Sequence, residues 1–181
     1  MRYLGLIVIL FISGYCSAES SNPTQKIKVG ETQKQTNKSG WQYANWGMTA
    51  EQIVEASHGK ARAVFGEEQR NKSNPYYFDC LAVSDFKTGP FEFDVSFRAK
   101  LNETTLNSVY LSLRNTNQYE ELKDSLASKY GQGVTSIKGK QITTSWQTKS
   151  EVIELVDIRD ALRFVSLTYS KRVYGPRGLD L

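Results

Sequence analysis

Cysteine, histidine and proline are scarce in this chain of 181 residues, which contains two cysteines, one histidine and four prolines. The first cysteine, Cys16, falls in a segment that we expect to be cleaved, so the mature chain keeps only Cys80 and cannot form an internal disulfide. Cysteines and histidines at zinc-site spacing are missing, which excludes the usual structural zinc sites. We therefore expect a domain that is stabilised by its hydrophobic core and binds no metal.

The two remaining residues of this kind, Cys80 and His58, have ordinary structural interpretations. Cys80 lies inside an apolar strand pattern, which favours a small buried side chain over a reactive thiol. His58 stands at the end of the first predicted helix, where a partial positive charge interacts favourably with the carbonyl groups. Neither residue is predicted to be catalytic or to bind a metal.

Motifs for catalysis and phosphate binding are also missing. The chain has no HExxH, no GxSxG and no EF-hand spacing. Ser57–Lys60 and Lys87–Gly89 imitate two elements of the penicillin-binding signature, but their spacing is too short. Gly133–Lys140 imitates a phosphate loop, but its spacing is too long and it precedes a strand rather than a helix. We predict no catalytic residue and no cofactor.

Charged residues are numerous and of both signs, with 23 Lys and Arg against 19 Asp and Glu and a net charge of +4. The basic residues are dispersed rather than gathered into a stripe, so we expect no nucleic-acid partner. Glycosidase chemistry needs two carboxylates across a cleft, whereas the paired acids of this chain have the pattern of solvated surface. These pairs are Glu67 and Glu68, Glu120 and Glu121, and Asp157 and Asp160.

Residues 1–18 have the pattern of a secretory signal peptide. A positive charge, an apolar core at Leu4–Ile12 and small residues before Ala18 predict cleavage after Ala18. The apolar core is much shorter than the ~20 residues that span a bilayer, so we predict no transmembrane segment. A lipid anchor at Cys16 is the weaker alternative, because the bulky Tyr15 precedes that cysteine.

Composition defines three further regions. Residues 19–40 are polar with few large apolar side chains, which predicts a disordered linker. Residues 41–170 contain the aromatic and alternating patterns of a single folded domain of ordinary size. Residues 171–181 are basic and turn-rich, which predicts a flexible tail.

Helix and strand signals divide the domain. Thr49 and Gln52 form a capping-box pattern and Gly59 is a stop signal, so a first helix is expected at about 50–58. The alternation of apolar and polar residues over 91–98 is the strongest strand signal in the chain. The remaining predicted elements are strands at about 76–83, 107–114, 140–147, 151–157 and 163–170, and a second helix at about 117–130.

The order of these elements is a helix, three strands, a helix and three strands. This order predicts two α-βββ units, over 46–115 and 116–170, which share a layout rather than an obvious sequence. Antiparallel hairpins with two helices packed on one face of the sheet form an α+β fold, in which the other face is partly exposed.

Three aromatic residues at the entrance of the domain, Trp41, Tyr43 and Trp46, form the candidate binding site. Trp and Tyr are enriched at the energetic centres of protein interfaces, which favours contact with a partner. Packing of the same residues against the first helix is the other interpretation, and the sequence leaves both open.

Two segments resemble small exported bacterial proteins of unknown function. They are Trp46-Gly47-Met48-Thr49 with Glu51-Gln52-Ile53, and Tyr119, Leu122, Leu126 and Lys129-Tyr130-Gly131 before a strand with Trp146. The layout over about 44–170 is similar to the β-lactamase-inhibitor-protein-like fold, which small outer-membrane assembly lipoproteins also have. The inhibitor proteins carry disulfides and this chain does not, and the resemblance assigns no catalytic residue.

These observations favour an exported protein, periplasmic or secreted, that is not an enzyme and binds another protein through sheet-face or loop residues. A small envelope hydrolase that uses scattered acids is one alternative. A carrier of a small ligand, in a pocket between the helices and the sheet, is another.

Overall fold

A computed structural model describes residues 39–173. The predicted signal peptide, the lipid-anchor position Cys16, the linker up to residue 38 and the tail from residue 174 lie outside the described residues. The described part is a mixed α+β fold with one large antiparallel sheet, one small sheet and three α-helices. The elements are β1 (Gly40–Trp41), β2 (Ala44–Asn45), α1 (Ala50–Ala56), β3 (Ala61–Ala63), α2 (Gly66–Lys72), β4 (Phe78–Thr88), β5 (Phe91–Lys100), β6 (Ser108–Leu113), α3 (Tyr119–Tyr130), β7 (Val134–Lys138), β8 (Gln141–Gln147), β9 (Glu151–Arg159) and β10 (Arg163–Lys171).

The large sheet has eight strands in the order β3-β4-β5-β6-β10-β9-β8-β7. On either side of a central pair, β6 and β10, strands that follow one another in the chain are neighbours; hairpins join them, except that α2 lies between β3 and β4. In that pair Leu111 lies opposite Leu167, and Tyr110 lies opposite Thr168. The pairing of β6 with β10 brings the strands before α3 into one sheet with the strands after it.

The alternating pattern of β5 is confirmed, and it defines the two faces of the sheet. Phe91, Phe93, Val95 and Phe97 are buried, whereas the residues between them are half-buried or exposed. The buried side, called the helix face, packs against α3 through Leu122 and forms a single hydrophobic core. The opposite side is called the open face, because no helix covers its centre in the described part of the chain.

The two predicted helices are present with adjusted ends. Thr49 caps α1 with the predicted capping box, but the helix ends at Ala56 instead of residue 58. His58 takes a positive φ of 51°, which a helix interior does not allow. The second predicted helix begins at Tyr119 in α form, because Thr116–Gln118 forms a 3₁₀ turn before it.

Five elements were not predicted from the sequence, namely the two-residue strands β1 and β2 and the elements β3, α2 and β7. The short helix α2 buries no residue, and β7 is exposed along its whole length, so neither shows an amphipathic pattern. Arg62 of β3 forms a bidentate ion pair with Glu68 of α2, with N···O distances of 2.8 and 2.7 Å. Since Arg62 lies opposite Val83 on the open face, α2 borders that face at the β3–β4 edge.

Two observations within the described residues concern membrane-spanning helices and cysteine. Within residues 39–173 no helix is both long and apolar enough to cross a membrane. The cysteine of this range, Cys80, is buried and free.

Candidate functional site

Four planar side chains form a row across the open face. Phe78 of β4, Arg98 of β5, Tyr110 of β6 and Phe164 of β10 come from four strands that are adjacent in the sheet. Each stands at an outward position of its strand, and their side chains reach one another diagonally across the sheet. We call these four residues the Arg98 stack.

The Arg98 guanidinium lies between two aromatic rings. Its central carbon is 3.8 Å from the ring centre of Phe78 and 3.6 Å from that of Tyr110. The Tyr110 ring in turn stacks on Phe164, with centres 6.2 Å apart and planes at 13°. Both faces of the guanidinium are therefore covered by aromatic carbon, which is a favourable cation–π arrangement.

Among the described residues, no carboxylate forms an ion pair with Arg98. The Nε atom of Arg98 is buried and lacks a hydrogen-bond partner in this part of the chain. Burial lowers the pKa of Arg98, although Tyr110 and Cys80 oppose this effect. The charged form still dominates at neutral pH, because an arginine is effectively always protonated in proteins. The open face thus presents a half-buried cation that the fold leaves uncompensated.

Arg114 of the same face provides the contrast. It lies within ion-pair distance of Asp94, at 2.6 Å, and of Asp85 and Glu92. Hydrogen bonding and charge from Asp94 raise the pKa of Arg114. Arg114 is therefore neutralised by acids, as Arg62 of this face is by Glu68, whereas Arg98 is stacked between rings without an acid.

The surroundings of the Arg98 stack combine hydroxyl groups with half-buried apolar side chains. Burial raises the pKa of the Tyr110 hydroxyl, and contacts with Ser166 and Arg98 partly offset this effect. Ser96 and Thr168 lie opposite Tyr110 on the neighbouring strands. Outward apolar residues continue the surface along β9, namely Val152, Val156 and Ile158.

The candidate residues Trp41, Tyr43 and Trp46 lie against the hydrophobic core. Trp41 is 7% exposed and packs edge-on against Phe86 and Phe97, with ring centres 5.0 and 5.9 Å apart. Tyr43 contacts the Phe97 ring at 5.9 Å, and Trp46 is partly buried. These contacts fit the packing interpretation, while contact of the three residues with a partner stays a prediction.

The other residues considered from the sequence are not brought together. His58 is exposed, and burial raises the pKa of the Cys80 thiol, which disfavours the reactive thiolate. The acid pair Asp157 and Asp160 is divided between arginine partners and Lys140. Within residues 39–173 no group of three histidine, cysteine or acidic side chains is arranged to hold a metal ion.

A buried ion cluster lies on the helix face near α3. Asp157 is fully buried and accepts hydrogen bonds from Arg159 at 2.7 Å and from Arg163 at 2.9 Å. Burial alone would raise the pKa of Asp157, but the two arginines together outweigh it, so the pKa lies below its ordinary value. Arg159 also pairs with Glu120 at 3.6 Å, so two acids balance the two arginines and we interpret this cluster as structural.

The Arg98 stack was not identified from the sequence. Its members are far apart in the chain, and only the strand registers bring them together. The sequence does contain one indication of this site. Tyr110 and Phe164 are large aromatic residues at outward positions of strands in which apolar and polar residues otherwise alternate. Such residues at positions expected to be polar indicate a recognition surface more specifically than aromatics beside a helix do.

Comparison of the chain with family models, curated proteins and solved structures found no match. The resemblance to the β-lactamase-inhibitor-protein-like fold therefore stays a prediction.

Proposed function

We propose that this is an exported, non-enzymatic protein that binds another protein through the open face of its sheet. The partner places an aspartate or glutamate side chain against the terminal N–H groups of Arg98. The observation that carries this proposal is the stacking of Arg98 between Phe78 and Tyr110 without a carboxylate partner in the described residues. The sequence predicted binding through either sheet-face or loop residues, and this proposal assigns the binding to the open face of the sheet.

The chemistry of the guanidinium selects the ligand. Its two faces are covered by rings, so the N–H groups along its edge are the part that can bind a partner. A planar edge of donors matches a carboxylate in a bidentate arrangement, and such charge-assisted bonds are about twice as strong as neutral ones. Pairing with a carboxylate would also compensate the half-buried charge.

The composition of the surface supports a protein partner. Tyrosine and arginine dominate the energetic centres of interfaces, especially where apolar contacts surround them and exclude water. Val156 and Ile158 provide such contacts beside Tyr110 and Phe164. The hydroxyl groups of Ser96 and Thr168 add hydrogen-bonding capacity around this apolar centre.

Affinity capture with matched variants tests the proposal. The protein is immobilised as wild type, Arg98→Met and Arg114→Met, and each form is exposed to an envelope and secreted-protein extract from its source. We expect a partner that wild type and Arg114→Met retain and that Arg98→Met loses. The partner should also be released when one of its own acids is changed to the amide. Equal retention by all three forms would contradict the assignment of the open face.

Export is tested separately. N-terminal sequencing of the protein expressed with its own leader is expected to begin at Glu19, and Ala18→Lys should block this cleavage. A mature form that begins at a lipid-modified Cys16 would support the anchor alternative instead. An intact Met1 in the secreted fraction would contradict cleavage.

We also propose that the domain is built from two α-βββ units. This is supported by α1 before the β4–β5–β6 hairpins and α3 before the β8–β9–β10 hairpins, with Ile53 and Leu122 in one core. Each unit then carries a fourth strand between its helix and these hairpins, β3 in the first unit and β7 in the second, and the first unit also contains α2. Both ends of the domain lie beside the start of β9, since the Gly40 N–H donates to Glu151 and the Arg172 N–H to Ser150. A circular permutant opened between the units, at Asn115, should therefore fold. Failure to fold would count against two separable units.

A further inference from the structure

A cavity of about 490 Å³ lies on the helix face, between α3 and the sheet. The hairpin of β4 and β5 and the strand β1 border its mouth. This volume falls within the ~300–1,000 Å³ range of small-molecule sites. The cavity is independent of the Arg98 stack, which occupies the opposite face of the sheet.

Aromatic rings form much of the wall. They are Trp41, Phe86, Phe91, Phe93, Tyr130 and Tyr169. Aromatic faces carry partial negative charge and attract cations, most strongly where water is excluded. Lys129 shows this attraction at the rim, where its ammonium lies 4.9 Å from the ring centre of Tyr130.

One carboxylate, Glu151, also lines this wall. Its Oε1 accepts a hydrogen bond of 3.2 Å from the Gly40 N–H, and no ion pair with another described residue satisfies it. Burial raises the pKa of Glu151, with smaller opposing effects from Gly40 and Lys129. The negative charge is thus held in a partly dry place and is only distantly compensated by Lys129.

Two tyrosine hydroxyls accompany this carboxylate. Burial raises the pKa of Tyr169 strongly, and its contact with the Tyr130 hydroxyl adds to that effect. Tyr169 therefore stays neutral at physiological pH, and both tyrosines line the cavity with hydroxyl oxygens and ring faces. A cavity with one negative charge, neutral hydroxyls and aromatic walls is complementary to a cation with an apolar body.

We propose that this cavity binds a small organic cation, an alkyl or aryl ammonium compound whose apolar body lies among the aromatic rings and whose ammonium group pairs with Glu151. The volume favours a free small molecule over a chain segment. Lys129 competes for the same carboxylate, so it weakens binding rather than assisting it.

Calorimetry with three probes of similar shape, which differ in the charge of their polar group, tests this proposal. The probes are 2-phenylethylammonium, 2-phenylethanol and phenylacetate at pH 7, and thermal unfolding is measured in parallel, because a ligand of the native state raises the midpoint. We expect the ammonium to bind at least about tenfold more tightly than the alcohol, as a charge-assisted bond provides. Phenylacetate should bind most weakly.

Three variants test whether Glu151 causes the preference for the ammonium probe. Glu151→Gln keeps the acceptor for Gly40 and should remove the preference for the ammonium. Glu154→Gln changes an acid of the same strand that faces the open side, and it should leave the preference intact. Lys129→Met keeps the apolar stem and should tighten ammonium binding.

Each opposite result overturns the proposal. No binding of any probe, equal binding of ammonium and alcohol, or tighter binding of phenylacetate would each do so. An unchanged preference in Glu151→Gln would place the cation elsewhere. A lysine amide that binds while 2-phenylethylammonium does not would indicate a protein segment and would also overturn it.

Discussion

The Arg98 guanidinium lies 3.6 Å from the centre of the Tyr110 ring on the neighbouring strand of the open face. The same guanidinium has no carboxylate partner among the described residues, although Arg114 on that face lies within ion-pair distance of three acids. A fold selected for stability alone gains little from a half-buried charge without a counter-charge. We therefore interpret this relationship as a binding feature.

Substitution of Arg98 should cost binding but little stability. Arg98→Met removes a half-buried charge with an unsatisfied Nε, together with the stacking of the guanidinium on Phe78 and Tyr110. We expect its free energy of unfolding to stay within about 1 kcal/mol of wild type, because the desolvation cost that is relieved offsets the cation–π contacts that are lost. Urea unfolding checks this value.

The same replacement of arginine by methionine at Arg163 should reduce stability, in contrast to Arg98→Met. It removes hydrogen bonds of 2.9 Å to the fully buried Asp157 and leaves that carboxylate with Arg159 alone. We expect a loss of about 2–3 kcal/mol, since one partner of a buried pair is removed. Equal losses for the Arg98 and Arg163 variants would show that both arginines are structural.

The buried cluster should make stability depend on pH in the acid range. The pKa of Asp157 is lower in the folded than in the unfolded state, because the arginine contacts outweigh burial. Its contribution to stability is therefore complete above the unfolded value of about 3.9 and is lost as pH falls through the folded pKa. Unfolding midpoints between pH 6 and pH 2.5 should fall less steeply in Asp157→Asn than in wild type. The exposed Asp124→Asn serves as the control and should follow wild type, whereas parallel curves for all three proteins would contradict this assignment.

Much of the fold could be predicted from the sequence, because its strongest patterns come from residues that pack. The alternation of β5 and the spacing of Tyr119, Leu122 and Leu126 in α3 both place apolar side chains in the core, and both were identified. The exposed strand β7 and the short helix α2 bury nothing, so they have no apolar period to detect. Local sequence patterns therefore predict the elements that pack into the core, and they do not predict elements that bury no side chain.

The candidate site could not be predicted for a different reason. Phe78 and Phe164 are 86 positions apart in the chain, and they belong to one row only because β6 pairs with β10. Strand register across a crossover is not encoded by any local pattern. The aromatics Trp41 and Trp46, which sequence spacing does group together, were found against the core instead.

The glycine at the start of β1 should be intolerant of substitution. An added Cβ at Gly40 would lie 2.1 Å from the Ala44 carbonyl oxygen, whereas at Gly47 it would meet nothing within 4 Å. Both have positive φ, so Gly47→Ala should cost about 1 kcal/mol from backbone strain alone. Gly40→Ala must also move the β1–β2 backbone, so we expect at least twice that loss in thermal or urea unfolding. Equal losses would show that β1 adjusts freely.

Recognition by the Arg98 stack is distinguished from recognition by charge alone when the dissociation constant of the captured partner is measured for wild type and for Arg98→Lys. Lysine keeps the positive charge, but it lacks the planar group that stacks between Phe78 and Tyr110 and the paired donors that hold a carboxylate. We expect Arg98→Lys to lose at least about tenfold in affinity while its free energy of unfolding stays unchanged. An unchanged dissociation constant would contradict this expectation, because the open face would then provide charge alone and the Arg98 stack would not be the recognition site.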